Sequence, residues 1–369
     1  MAFLEVKNVR IAGFSAGVPK NIRDNSKAEF TDYTAEDFIR ETGVREARIS
    51  ATLCTSDLCY AATEKLITDL GWDKKDIEAL VFVSQTADYI LPATACILQD
   101  RLGLSKDCFA QDIVLGCSGW VYGLATLASL MQSGTIKKAL LLCGDAKERP
   151  VLEKNTHKKG SKKITASLFG AAGTVTALEY TDSQCPPLQF CVGTDGSGFD
   201  AIITPDGGSR CGIGKEKSFE PYIFEGKPTI RLYTVMKGMD VFSFGITTAP
   251  KNIKKTAEHF GFNYLDADYF VFHQANKKMN DFINKKLKLP QEKVPVSLDE
   301  FGNTSSASIP LTIVVRLQNK LSKEDKKIIC CGFGVGLSWG TACFVADKNI
   351  VISDLVEVAD SEVDCVHIV

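Results

Sequence analysis

The chain has 369 residues, 45% of them hydrophobic and 24% charged, with a formal net charge of −2. That is the balance of a globular protein long enough to bury a large core without staples. The near-neutral charge gives no basis for broad attraction to nucleic acid or to a membrane surface, and no apolar run is long enough to span a bilayer.

The opening residues lack a charged segment followed by an apolar one, which argues against a secretory leader and for the cytoplasm. The thirteen cysteines agree. They are odd in number, and many lie in apolar stretches such as Ile329-Cys330-Cys331. This pattern predicts buried free thiols in a reducing compartment rather than a disulfide framework. No pair of C-x-x-C motifs is present, so no structural metal site is expected.

Strand and helix patterns alternate along the chain. Residues 78–84 (EALVFVS) and 139–143 read as fully buried strands, as in a sheet covered on both faces. Between them, residues 118–131 (SGWVYGLATLASLM) predict a helix apolar nearly all round, hence a core helix, with Gly134 at its stop. The second half repeats this grammar, with a strand at 268–272, a helix at 277–287 and a strand at 327–331. Each half closes on a small-residue turn leading into a strand, at 169–178 and at 337–345. The reading is two related α/β halves, 1–180 and 181–346, followed by an extension, 347–369. Residues 154–163 (KNTHKKGSKK) form a basic polar loop. The extension carries five acidic residues between 354 and 364; Cys365 and His367 within it are too few to hold a metal.

Three patterns carry chemistry. In Leu115-Gly116-Cys117-Ser118-Gly119-Trp120, Cys117 immediately precedes the apolar helix. Helix N-terminal amides stabilise thiolate, the nucleophilic form of cysteine, and the flanking glycines leave room for a substrate. In Phe272-His273-Gln274-Ala275-Asn276, a histidine follows a buried strand, where α/β proteins build their sites. In Gly302-Asn303-Thr304-Ser305-Ser306-Ala307-Ser308-Ile309-Pro310, small polar residues form a tight loop that can crowd a ligand; the same residues also suit a plain turn with a helix cap. Cysteine, histidine and asparagine in this order also occur in papain-like proteases. The local papain signature is absent here, and the paired α/β halves do not suit that fold.

Taken together, these stretches resemble β-ketoacyl-acyl-carrier-protein synthase III of the thiolase superfamily over residues 3–346. Glu41-Thr42-Gly43-Val44-Arg45-Glu46 and Gly332-Phe333-Gly334-Val335-Gly336-Leu337-Ser338-Trp339-Gly340 match further family motifs. The resemblance implies a five-layered αβαβα thiolase-like fold of two pseudo-symmetric halves, and a homodimer. It implies that Cys117 takes an acyl group from a coenzyme A or carrier-protein thioester. His273 and Asn303 would then stabilise the enolate formed when a malonyl thioester loses carbon dioxide. The backbone N–H groups of Cys117 and Val335 would form the oxyanion hole. No cofactor beyond the thioester substrates is implied. Acyl-coenzyme A, a malonyl thioester and acyl carrier protein are the expected partners.

The departures fall around the carrier. Phe38 stands at a family tryptophan position that stacks on adenine. Glu41 replaces an arginine, for which Arg40 can substitute. Arg149 matches a family arginine, and Lys278 replaces another involved in carrier docking. Leu91 stands where an aromatic often closes the acyl pocket across the dimer. These changes favour a synthase of a specialised lipid or secondary pathway with a primer larger than acetyl. Two alternatives share the fold: an acyltransferase passing the acyl group from Cys117 to an alcohol or amine, and a non-catalytic partner subunit of a heterodimer. Retention of Asn303 speaks against the first, and the intact trio against the second.

Overall fold

The computed structural model describes residues 2–30, 34–146, 167–212, 218–321 and 323–360. Two sheets dominate. The first runs Val351–Ile352, Val9–Pro19, Ala172–Tyr180, Lys138–Asp145, Ala79–Val83 and Phe109–Ile113, with Val356–Val358 also paired to Val9–Pro19. The second runs Ala2–Val6, Leu188–Thr194, Ser338–Ala346, Lys326–Gly334 and Tyr269–Phe272. Corresponding strands do corresponding work in the two sheets. Ala79–Val83 pairs in parallel with Lys138–Asp145, as Tyr269–Phe272 does with Lys326–Gly334, and each sheet then turns antiparallel.

Between the sheets lie two helices, Gly119–Met131 and Ser308–Leu321, each contacting both. Their apolar residues and the inner sheet faces make one core, including Trp120, Leu124, Leu127, Ile313, Leu317, Phe14, Val81 and Phe344. Thr55–Leu70 and Thr94–Arg101 cover the outer face of the first sheet. Gly238–Phe260 and Lys277–Leu287 cover the second. The layer order is αβαβα. No helix among the described residues is long and apolar enough to cross a membrane.

The apolar runs mark the strands because both faces are covered: every residue of Ala79–Val83 is buried. The central helix differs from its sequence reading on one side, since Thr126, Ser129 and Leu130 are exposed. The small-residue stretches at 172–174 and 338–340 extend the strands that follow instead of forming separate turns. The halves also exchange strands across the division at residue 180. Ala2–Val6 pairs with Leu188–Thr194 in the second sheet, whereas 351–352 and 356–358 add to the first.

Candidate active site

Cys117 ends the connection from the strand Phe109–Ile113 and opens the central helix, whose N-cap is Ser118. Its thiol is largely buried, and it sits where unpaired helix amides favour negative charge. The strand Lys326–Gly334 passes directly against it. A Cβ at Gly334 would lie 2.7 Å from Cys117 Cβ and 2.9 Å from its Sγ, and one at Gly332 would lie 2.8 Å from the Cys117 carbonyl oxygen. Only glycine permits this approach without displacement. The turn beyond is anchored to the helix through hydroxyls. Ser338 Oγ donates to the Val335 carbonyl at 2.7 Å and stands 2.7 Å from Ser118 Oγ, so the proton between the two serines comes from Ser118. Val335 therefore follows the glycine that touches the thiol, with its carbonyl already engaged elsewhere.

His273 leaves the end of Tyr269–Phe272, its backbone N–H bonded to the Cys331 carbonyl at 2.8 Å. The ring is buried, meets Phe333 edge-on and places Nδ1 2.8 Å from Ser308 Oγ on the second central helix. Asn303 follows Gly302, whose φ of +63° closes the short helix Leu298–Phe301. Two backbone bonds lock Asn303 to the other half of the molecule: its N–H donates to Leu168, and its carbonyl accepts from Gly170. Its amide orientation is equally fixed. Oδ1 accepts the Ser305 N–H at 2.9 Å, which leaves Nδ2 as the donor; one of its hydrogens reaches the Ala275 carbonyl over a long 3.4 Å. Ala275 lies two residues from His273, and a Cβ at Gly119 would touch Ser306 Cβ at 3.4 Å. The three loops thus converge where the sheets' ends and the two central helix starts meet. The site can offer a nucleophilic thiol, an imidazole and an amide donor in surroundings shielded from water.

Five buried thiols elsewhere are held as spectators. Burial raises the Cys331 thiol to about 12 and pushes Cys59, Cys143, Cys330 and Cys343 up as well, so these stay protonated and inert at neutral pH.

The carrier-side residues fare differently. Phe38 is fully buried, stacked on Phe30 with ring centroids 5.0 Å apart and packed with Val44, Leu168 and Leu298. Its face is used by the core, so the expected stacking on adenine is corrected: phenylalanine, wholly apolar, is drawn inward where tryptophan would keep a polar edge to satisfy. Arg40 is exposed and paired with Asp37 at 2.5 Å; Lys278 is exposed and 3.2 Å from Glu41. The two cations stand on neighbouring helices, Ala35–Thr42 and Lys277–Leu287. Leu91 is 79% exposed, just after Ile90 at 92%. Arg149 and the basic loop 154–163 lie outside the described residues. Sequence reasoning gave no part to Ser305, Ser308, Gly334 or the Ser118–Ser338 pair. Their signal was present in the small-residue runs at 302–310 and 332–340, without roles attached.

Two sheets of matching order around paired central helices, with a cysteine at the start of one of those helices, define a thiolase-type α/β enzyme. The model for the 3-oxoacyl-[acyl-carrier-protein] synthase III domain matches residues 111–196, and that for its C-terminal domain matches residues 258–345. A β-ketoacyl-[acyl-carrier-protein] synthase III of Clostridium perfringens is 32% identical, covering 91% of this chain and 99% of its own length. One from Staphylococcus epidermidis is 35% identical, with 90% and 97% covered. The crystal structure of a 3-oxoacyl-(acyl-carrier-protein) synthase from Burkholderia xenovorans superposes with a TM-score of 0.85 at 36% identity, over 97% of this chain and 99% of that one. The chain belongs to the β-ketoacyl-[acyl-carrier-protein] synthase III family and is an enzyme of the acyltransferase class.

Proposed function

We propose that the protein loads an acyl group onto Cys117 and condenses it with a malonyl thioester to give a β-ketoacyl thioester. The observation that carries this reading is the Asn303 amide. Its oxygen is committed to the Ser305 N–H, so the group turned to the site is a donor. A donor is what an enolate oxygen requires, and transfer of an acyl group to an alcohol or amine generates no enolate. In loading, the Cys117 thiolate attacks the acyl carbonyl and the donor thiolate departs. The tetrahedral oxyanion sits at the Cys117 and Val335 N–H groups. In condensation, the malonyl C–C bond breaks, carbon dioxide leaves, and the electron pair forms an enolate held by Asn303 and His273. Its carbon attacks the acyl-enzyme and frees Cys117.

The substrates are acyl and malonyl thioesters of coenzyme A or acyl carrier protein, with no further cofactor, and the compartment is the cytoplasm. Arg40 and Lys278 supply positive charge for the carrier's phosphates. The chain works as a homodimer: Phe109–Ile113 is an edge strand, and Phe109, Val114, Leu130, Ile90 and Leu91 present exposed apolar surface around it. Leu91 then reaches the partner's acyl pocket.

Intact-mass measurement tests the reading. Incubation with acyl thioesters should add one acyl mass to the wild type and none to Cys117→Ala, and a malonyl thioester should discharge it as a β-ketoacyl product. Discharge to an alcohol or amine, but not to malonyl thioester, would overturn the condensing assignment.

A further inference from the structure

We propose that Ser308 fixes the tautomer of His273, so that neutral His273 carries its proton on Nδ1 and presents a lone pair at Nε2. This positioning role deepens the function proposed above and rests on it. Ser308 Oγ stands 2.8 Å from the Ser305 carbonyl oxygen and 2.8 Å from His273 Nδ1. Both distances require a hydrogen between the two atoms, because lone pairs facing each other so closely repel. The serine hydroxyl supplies one hydrogen, and the carbonyl has none to give. The hydroxyl proton therefore lies toward Ser305, and the ring supplies the other from Nδ1. Nothing in the arrangement is loose: Ser308 begins a central helix, and Ser305 is pinned in the left-handed region at φ +54°.

The backbone of one residue, Ser305, serves both site residues. Its N–H orients the Asn303 amide at 2.9 Å, while its carbonyl takes the Ser308 hydroxyl. One strained residue thus sets Asn303 as donor and, through Ser308, sets His273 as acceptor when neutral.

The consequence is chemical. A neutral Nδ1–H imidazole can take the Cys117 thiol proton at Nε2, giving thiolate and imidazolium. It cannot donate from Nε2 until it has done so. His273 then helps hold the enolate oxygen only as imidazolium, keeping the proton received from Cys117. The departing donor thiolate takes its proton from water. Decarboxylation moves the C–C electron pair into the enolate, condensation returns Cys117 as thiolate beside the imidazolium, and each turnover consumes one solvent proton. Asn303 needs no such charging. Loss of Ser308 should therefore weaken loading more than decarboxylation, whereas loss of Asn303 does the reverse.

The test is nitrogen-15 NMR of histidine-labelled protein above the ring's titration. The chain has four histidines, so His273→Gln assigns the signal. The wild type should show His273 protonated at Nδ1. Ser308→Ala should move the proton to Nε2 and slow acyl loading about tenfold or more, with decarboxylation by pre-acylated enzyme changed less; Ser308→Thr, which keeps the hydroxyl, should restore both. An Nε2–H signal in the wild type overturns the proposal, as does an unchanged tautomer in a folded Ser308→Ala. If Ser308→Ala fails to fold, the wild-type spectrum alone decides. A correct tautomer with no malonyl-dependent discharge would instead count against the condensing function.

Discussion

Replacing Asn303 separates the two half-reactions. In Asn303→Ala the Nδ2 donor is lost from the enolate. Loss of one oriented donor in a shielded site typically costs about 2.7–4 kcal/mol, roughly a hundred- to a thousandfold in rate. The same change strips the buried Ser305 N–H of its 2.9 Å acceptor, which costs about 1–3 kcal/mol of stability. Asn303→Asp distinguishes these effects. Its carboxylate still accepts from Ser305, so that N–H keeps its partner, but it offers no donor, faces the Ala275 carbonyl with no hydrogen between them, and places negative charge beside the malonyl carboxylate. Two measurements are needed: acyl transfer from an acyl thioester, followed by intact mass, and carbon dioxide release from a malonyl thioester by the acylated enzyme. Both variants should load within a few-fold of wild type and release carbon dioxide at least a hundredfold more slowly. Equal loss of loading and decarboxylation in the aspartate variant would refute the reasoning and give Asn303 a structural role.

Three further outcomes are expected. Gly334→Ala forces a methyl to within 2.9 Å of the Cys117 sulfur; it should cost about 1–3 kcal/mol in stability and slow loading severalfold or more, and near-native loading would show that the strand gives way. Leu91→Phe should shift the primer optimum in a series from acetyl to decanoyl toward shorter chains. Selectivity in the wild type should rise about fourfold per carbon until the pocket fills, at about 0.8 kcal/mol per methylene; an optimum at acetyl unmoved by the substitution refutes the trans-pocket placement. Asp88 is raised above its usual carboxylate range, chiefly by burial, and its Oδ1 is buried without a partner. A carboxyl whose folded pKa is raised costs stability once ionised and regains it as pH falls through that pKa. Asp88→Asn should therefore raise Tm at pH 7 and lose that advantage toward pH 4, and a pH-independent difference in Tm would contradict it.

What could be read beforehand follows from covalent pattern alone. Runs such as 79–83 announce themselves because both faces are covered, and Cys117, His273 and Asn303 stand at junctions between recognisable strands and helices. Orientation could not be read that way. Phe38 carries no mark saying which way its ring turns, and only its packing against Phe30 and Leu298 shows that it is spent on the core. Ser305 has the pattern of any small polar loop residue, and nothing in its residue type announces a positive φ. The exchange of edge strands was likewise invisible, because strand partners are chosen in three dimensions.

That exchange bears on whether the halves could ever live apart. Suppose the chain were severed between residues 181 and 187. The first fragment would carry Ala2–Val6, the edge strand of the other fragment's sheet, and the second would carry 351–358, an edge of the first. Each piece alone would leave a row of backbone donors and acceptors open and keep a strand with nowhere to pair. Co-expressed, the two should clasp and reconstitute a nicked enzyme. Expressed singly, each should aggregate, because the crossed strands tie the two halves into one folding unit.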